Sequence, residues 1–445
     1  MPEIAPHHHG AACALVKDFH IPTPADSECP VVNLLPSPRR RAGDGGSRSA
    51  GADTNGAAVP MTWAARLRRE PVTVSFDRRE ALTAAGIYTA VALVGFGLLM
   101  AISHFRGHHV TEVLTRWDSA RYLHIAEHGY PGHLEYGPDG LPEPSALAFF
   151  PMVPALIRAV HLVTFLPFPY AGLVVSWSMA AIAAAGVHTL AGSLFGRRAG
   201  YACVGLWACS PYAFALWVPY SEAAFTAFLM WTLIAVVARR WMWAGALCAL
   251  AGTVRPTSTV LVAVVAIGAV RALTLRRGGW RPWVAIGVAP LGLVFSWLYL
   301  GSRIGRLDGW FLAEKAWDQQ FDFGLGTLRF LRELITYQAT DIRYPLVLTM
   351  ILVVAVGVLA LALDRRVPWP LVLALAGAWE LMFSTPGAPL SKPRFLLPFL
   401  PLLLLLVVRP IARLPRTVQA CLYGCGAVFA GWYGFGLLVL FKHPP

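Results

Sequence analysis

Asp118 is the residue of this chain best placed for proton chemistry, because it lies just beyond the first long apolar run, in Arg116-Trp117-Asp118-Ser119-Ala120-Arg121-Tyr122. That position predicts a carboxylate at a membrane surface, where a lipid-carried substrate presents its headgroup. Such a carboxylate accepts a proton from an attacking hydroxyl within hydrogen-bond reach. Trp117 and Tyr122 offer flat apolar surface for a sugar ring or an isoprenoid. Spacing leaves a plainer account open: Asp118 caps a helix, Arg121 is its i+3 charge partner and Trp117 anchors the interface. His124 and His128 lie four apart beside Glu127, but a metal site needs a further ligand and the HExxH order is absent, so no metal is expected.

Other polar residues stand where apolar runs begin. Glu222, in Pro219-Tyr220-Ser221-Glu222, enters an apolar segment, which is costly without a partner. Arg255 is the natural partner, either as a structural ion pair or as the other half of a polar wall to a site. Lys392 and Arg394, in Ser391-Lys392-Pro393-Arg394-Phe395, can bind lipid phosphates or neutralise a phosphate leaving group. The stretch from Gly301 to Tyr344 carries Glu314, Lys315, Trp317, Asp318, Gln319, Gln320, Phe321 and Asp322, mixed charge and aromatics of the kind that bind sugars.

Composition says what must hold these residues. Of 445 residues, 56% are hydrophobic and 14% charged, and mean hydropathy is +0.56. So few charges cannot solvate that much apolar area, which predicts an all-α polytopic membrane protein. The apolar runs fall at 81–103, 170–194, 200–218, 222–238, 241–254, 256–272, 282–301, 345–363, 368–384, 394–408 and 417–440, about eleven spans. The run 147–166 carries Pro151, Pro154, Arg158 and His161, which suits an interfacial or re-entrant helix.

With that run not crossing, the basic clusters Arg197-Arg198, Arg239-Arg240, Arg276-Arg277, Arg365-Arg366 and Arg409 with Arg413 and Arg416 share one side, the cytoplasm. The outer face then carries a first loop at 104–169, holding interfacial helices, and a second at 302–344. Residues 1–78, rich in Pro, Gly, Ser and charge, read as a disordered cytoplasmic tail without a signal peptide, including the run His7-His8-His9 and a possible internal start at Met61. The formal net charge of +13 is spent in helix-orienting clusters, so nucleic acid is not an expected partner. Only Lys17, Lys315, Lys392 and Lys442 among the 37 basic residues are lysine, a bias of GC-rich bacterial genomes. The seven cysteines show no close ligand spacing, and no P-loop or dinucleotide fingerprint is present, so no cofactor is expected.

Four motifs in order, RWDSARYLHIAEHGY, ALAFFPMVP, PYSEAAF and SKPRFLLPFLP, resemble the phosphatidylinositol-glycan class V mannosyltransferase family, including its bacterial members, over about 79–441. The resemblance implies a GT-C-like bundle and an inverting transfer of mannose from a polyprenyl-phosphate donor on the outer face of the plasma membrane. It makes Asp118 the first-loop acidic residue, and Glu222 and Arg394 later motif positions. Two departures bear on the acceptor: Ser119-Ala120-Arg121-Tyr122 stands where animal members place a His before an aromatic, and PGHLEYGPDGLPEPS is long. The leading expectation is therefore a mannosyltransferase with Asp118 as base, Arg394 and Lys392 on the departing phosphate, Glu222 and Arg255 shaping the pocket, and Trp117, Arg121 and Tyr122 beside the substrate. The acceptor is an undefined lipid or cell-envelope glycan, and membrane lipids are the other partners. A lipid or solute transporter is the rival, disfavoured by the lack of a clear internal repeat and by polar residues gathered at span ends.

Overall fold

The computed structural model describes residues 72–441 except 139, 318–320, 337–342, 386 and 388. Residues 1–71 of the expected tail, with its histidine run and Met61, lie outside the described residues, as do Asp318, Gln319, Gln320 and the terminal Lys442-His443-Pro444-Pro445. The described chain is helical, and among these residues the bridge between Tyr136 and Pro142 is the one isolated β pairing.

The first helix, Arg78–Phe105, begins where the Asp77 carboxylate accepts from the backbone N–H groups of Arg79 and Glu80, at 2.7 and 3.2 Å, satisfying donors that a helix start leaves free. Along it Ala84, Tyr88, Ala92, Gly95 and Leu99 are buried, while Leu82, Leu93 and Val94 face outward. Exposed leucine and valine on a long apolar helix belong in lipid. Among the described residues six helices are long and apolar enough to cross a membrane: Arg78–Phe105, Phe168–Phe195, Pro256–Thr274, Arg281–Arg303, Tyr344–Leu363 and Arg416–Leu440. Four shorter apolar helices accompany them, Met152–Thr164, Glu222–Val237, Trp241–Gly252 and Trp369–Phe383. The expected count of about eleven spans thus meets six helices of full length. Met152–Thr164, in the proline-bearing run, has 13 residues and rises about 20 Å against a hydrocarbon layer of about 30 Å. It stops at Phe165, whose φ of 57° is left-handed, before Pro167.

Two expected spans take other forms, for stated reasons. Over 200–218 the helix Arg197–Ala208 gives way to a turn and then to the 3-10 turn Ala213–Leu216, between Pro211 and Pro219. Trp207, Phe214 and Trp217 are fully buried there, so this run is apolar because protein, and not lipid, surrounds it. Over 394–408, Pro393, Pro398 and Pro401 each remove a backbone donor, and the segment breaks into Lys392–Leu396, a 3-10 turn at Leu397–Phe399 and Leu400–Leu404. Broken backbone is tolerated at membrane depth only where protein buries it, and Leu397, Pro398, Phe399, Pro401 and Leu402 are all buried. The helix Glu222–Val237 runs through the middle, buried on every side except at Phe228 and Trp231.

The first and last helices pack together through small residues. A Cβ on Gly431 would collide with the carbonyl oxygen of Gly95, and one on Gly95 would come within 2.9 Å of the Ala427 oxygen. Close backbone approach of this kind is how membrane helices gain dispersion contact. Gly431→Val is therefore expected to destabilise the detergent-solubilised protein by roughly 1–3 kcal/mol, read as a lower unfolding midpoint. Gly424→Val, on the same helix with open space around it, leaves the midpoint unchanged. Equal midpoints for the two variants would show that the helices do not meet here.

Candidate active site

The site is built around the start of the helix Asp118–His128. Trp117, the residue before it, has φ 55° and ψ −124°, a conformation that a bulky residue adopts only when its surroundings impose it. The constraint is visible: the Trp117 indole Nε1–H donates to the carbonyl of Leu438 at 3.1 Å, in the π-helical turn Gly436–Leu440 that ends the last helix. Terminal helix carbonyls lack partners within the helix, so this bond answers a need at both ends. It fixes the chain direction one residue ahead of Asp118. Asp118 is the first residue of its helix and not the cap, and the cap position makes no side-chain hydrogen bond. Its Oδ2 lies instead 2.7 Å from Nη2 of Arg394.

Arg394 joins two carboxylates. Its Nε is 3.3 Å from Oε1 of Glu222, and the same oxygen is 2.7 Å from Nη1 of Arg255. The expected Glu222–Arg255 pair is present, as one half of a four-membered network that balances two acids against two bases. The Glu222 and Arg394 side chains are 1% and 4% exposed, whereas Asp118 keeps 22%, so the network opens outward at the aspartate. Aromatic faces cover the guanidinium groups: Tyr220 lies 4.9 Å and Phe395 5.2 Å from Arg394, and Phe395 lies 5.1 Å from Arg255. Two polar atoms of the network, Arg394 Nη1 and Glu222 Oε2, are buried without a hydrogen-bond partner among the described residues. Buried polar atoms of this kind need a partner from outside the described side chains, such as water or a ligand.

Tyr122 is 5% exposed and packs edge-on against Phe149 at 5.1 Å, which packs in turn against Trp317 at 5.9 Å. Burial lifts the Tyr122 phenol well above its usual range, with the Arg255 charge opposing that rise. The aromatic block at 149–150 thus bridges the Asp118 helix to the second long loop.

Two expected site residues point elsewhere. Arg121 is exposed and lines an open cleft of about 360 Å³ with His124, His128, His133, Glu135 and Glu143, away from the ion network. The His124 and His128 rings stack at 4.7 Å. Lys392 is buried, and its Nζ donates to the carbonyls of Met382 and Thr385 at 2.8 Å each and to Thr327 Oγ1 at 3.1 Å. All three ammonium donors are used, which ties the broken segment to its neighbours and leaves Arg394 as the cation beside Asp118. Burial lowers the Lys392 ammonium to about 8, with Asp322 opposing the fall. Among the described residues no group of three His, Cys, Asp or Glu is arranged to hold a metal ion. Tyr220 and Phe395, which sheathe the network, carry no signal in the sequence beyond adjacency to Glu222 and Arg394.

No family model and no curated protein matches the chain. Among solved structures, ArnT from Cupriavidus metallidurans bound to undecaprenyl phosphate aligns with a TM-score of 0.47 at 16% sequence identity, over 76% of this chain and 62% of that one. This chain thus matches less than two thirds of that protein's length.

Proposed function

We propose that the chain is an inverting glycosyltransferase of the GT-C class, moving mannose from a polyprenyl-phosphate donor to a lipid-linked or cell-envelope acceptor on the outer face of a bacterial plasma membrane. The observation that carries this reading is the buried network of Asp118, Arg394, Glu222 and Arg255, open on one side at the aspartate and holding an unused guanidinium donor. Mannose and the polyprenyl carrier come from the motif resemblance. The acceptor hydroxyl approaches Asp118, whose carboxylate takes its proton as the oxygen attacks the anomeric carbon. The bond from that carbon to the phosphate oxygen breaks, and its electron pair leaves with the polyprenyl phosphate. Attack and departure on opposite faces invert the centre. Arg394, through the free Nη1, meets the charge that gathers on the leaving phosphate, and fixed donors in a water-poor site act strongly on such charge. Glu222 and Arg255 hold the Arg394 plane in position.

A transporter would be expected to place its charges near mid-membrane at the interface of repeats. Here the charges gather where the Glu222 helix and the broken 392–404 segment begin.

Transfer of label from radiolabelled polyprenyl-phosphate mannose to an envelope lipid extract by the purified chain is the direct test. Failure with every polyprenyl-phosphate hexose tried, by protein that is folded, would remove the reading. The sidedness has its own test in a background free of native thiols. Glu135→Cys is expected to react with an impermeant thiol reagent in intact cells, and Arg366→Cys is not. The reverse pattern would put Asp118 in the cytoplasm and exclude an outer-face donor.

A further inference from the structure

The helices Glu222–Val237 and Thr259–Thr274 both start beside the ion network, one at Glu222 and the other just past Arg255, and each has 16 residues. Their far ends therefore lie about 24 Å along the bundle from it. Those ends are side by side: a Cβ on Gly268 would come 3.5 Å from Cγ1 of Val236 and 3.3 Å from the Trp241 ring. They also close alike. The Arg240 N–H donates to the Ala235 carbonyl and the Arg239 N–H to Val236, at 2.7 and 3.0 Å, while the Arg277 N–H donates to Ala272 and the Arg276 N–H to Leu273, at 2.7 and 2.8 Å. Each pair of bonds is a Schellman end, whose left-handed residue is usually glycine. Here it is Arg239, at φ 56°, and Arg276, at φ 52°, so both ends combine backbone strain with a cation. Arg271 lies about one turn past Gly268, as Arg239 does past Val236. Its guanidinium covers the Trp369 ring at 5.6 Å, and its Nη2 is buried without a hydrogen-bond partner among the described residues. The following loop returns to the same place, because a Cβ on Gly278 would come 3.3 Å from Nε1 of Trp241. The segments so gathered, 238–243, 271–283 and 364–369, hold eight arginines and one acid, Asp364, which accepts from the Arg366 N–H at 2.9 Å. Trp243, Trp280 and Trp283 are exposed around them.

We propose that this end of the bundle, on the membrane face away from Asp118, holds the phosphate of an anionic phospholipid between Arg271 and Arg277. The inference goes beyond the glycosyltransferase reading and stands without it. Two plainer roles account for part of the cluster: cations suit the carbonyl ends of helices, and exposed arginines orient spans in the membrane. Neither role accounts for a guanidinium drawn in over Trp369 with one amino group left unpaired. A phosphate oxygen supplies that partner, and a guanidinium can hold two such oxygens at once. Eight bases against one acid leave an excess of seven positive charges that an anion must offset. The exposed indoles make the anion a lipid, since tryptophan settles where headgroups meet acyl chains. Basic pockets between span ends take acidic headgroups in this way.

Titration of the detergent-solubilised full chain with fluorescently labelled phosphatidylglycerol tests this. Wild type is expected to bind it about tenfold more tightly than labelled phosphatidylcholine, whose headgroup carries its own cation. Arg271→Gln is expected to weaken phosphatidylglycerol about tenfold, the loss of one charge-assisted hydrogen bond, and Arg277→Gln about fivefold. Arg277 is exposed in a loop, so its variant carries the test if Arg271→Gln does not fold. Arg413→Gln combined with Arg416→Gln removes two exposed arginines from another junction and is expected to leave the affinity within about twofold, since exposed charges beyond a Debye length are screened. Equal weakening by that pair would mean diffuse attraction to a basic face and would overturn the site. Wild-type affinity in either folded single variant, or equal affinity of wild type for the two lipids, would overturn it too. Displacement of the lipid by inorganic phosphate at equal concentration would make the partner a soluble anion and overturn the lipid assignment. None of these readouts uses sugar transfer, so failure of the enzyme reading leaves the test intact.

Discussion

Asp118→Asn is expected to lower turnover by about two or more orders of magnitude while the protein expresses and unfolds much like wild type. Asparagine has the size of aspartate and a carbonyl oxygen that still accepts from Arg394, but it cannot take the acceptor's proton. The charge argument keeps the stability cost small. Arg394 retains Glu222 as a counter-charge at 3.3 Å, and the lost carboxylate is the member of the network nearest solvent, at 22% exposure. The residue does not serve as the helix cap, so no capping bond is lost. Single-turnover transfer with saturating donor and acceptor gives the chemical step directly. Normal transfer by this variant would mean that Asp118 is only a strut for Arg394, and that the base must be sought elsewhere.

Arg394→Lys is expected to cut kcat about ten- to a hundredfold, with Arg394→Ala lower still, because only the guanidinium fork can hold two carboxylates and present a further donor to a phosphate. Its burial at 4% exposure excludes a simple role in anchoring the chain to lipid headgroups, for which any cation would serve. A structural role is the serious competitor. Removing one partner of a buried ion pair costs about 3–5 kcal/mol, so loss of activity in Arg394→Ala can reflect unfolding. Lysine keeps the charge and separates the two. If Arg394 meets charge that develops on the leaving phosphate, Arg394→Lys lowers kcat and kcat/KM together at a near-normal unfolding midpoint. Wild-type kinetics for Arg394→Lys would place the donor phosphate at another part of the chain.

The helical class and the places where polar residues stand out were legible in the composition and the apolar runs. The Glu222–Arg255 pair was legible as well, since an acid inside an apolar run needs a base and Arg255 stood at a nearby boundary. The link from Arg394 to Asp118 was not, because nothing in local spacing pairs residues at opposite ends of a chain. Local spacing misled for Arg121, whose i+3 position suggested a partner for Asp118 but lies on the exposed flank of the helix. Lys392 and Arg394 looked like a pair of equals, yet a broken helix sends one to backbone carbonyls and the other to the carboxylates. The missing full-length spans have a similar origin. Hydropathy does not distinguish apolar residues that face lipid from those that face protein, and 200–218 is apolar for the second reason. The prolines at 393, 398 and 401 were the visible warning that 394–408 would not run straight.

The indole bond from Trp117 to the Leu438 carbonyl, with the Gly95–Gly431 contact beneath it, orders events during biosynthesis. The aspartate emerges from the ribosome long before Leu438, whose carbonyl sets its direction. At roughly 5–20 residues per second, a nascent chain spends tens of seconds with its first helix inserted and its carboxylate unaimed. Until the helix Arg416–Phe435 and its terminal turn are in place, the Leu438 carbonyl that receives the Trp117 indole is absent, so the aspartate is aimed only after that helix inserts.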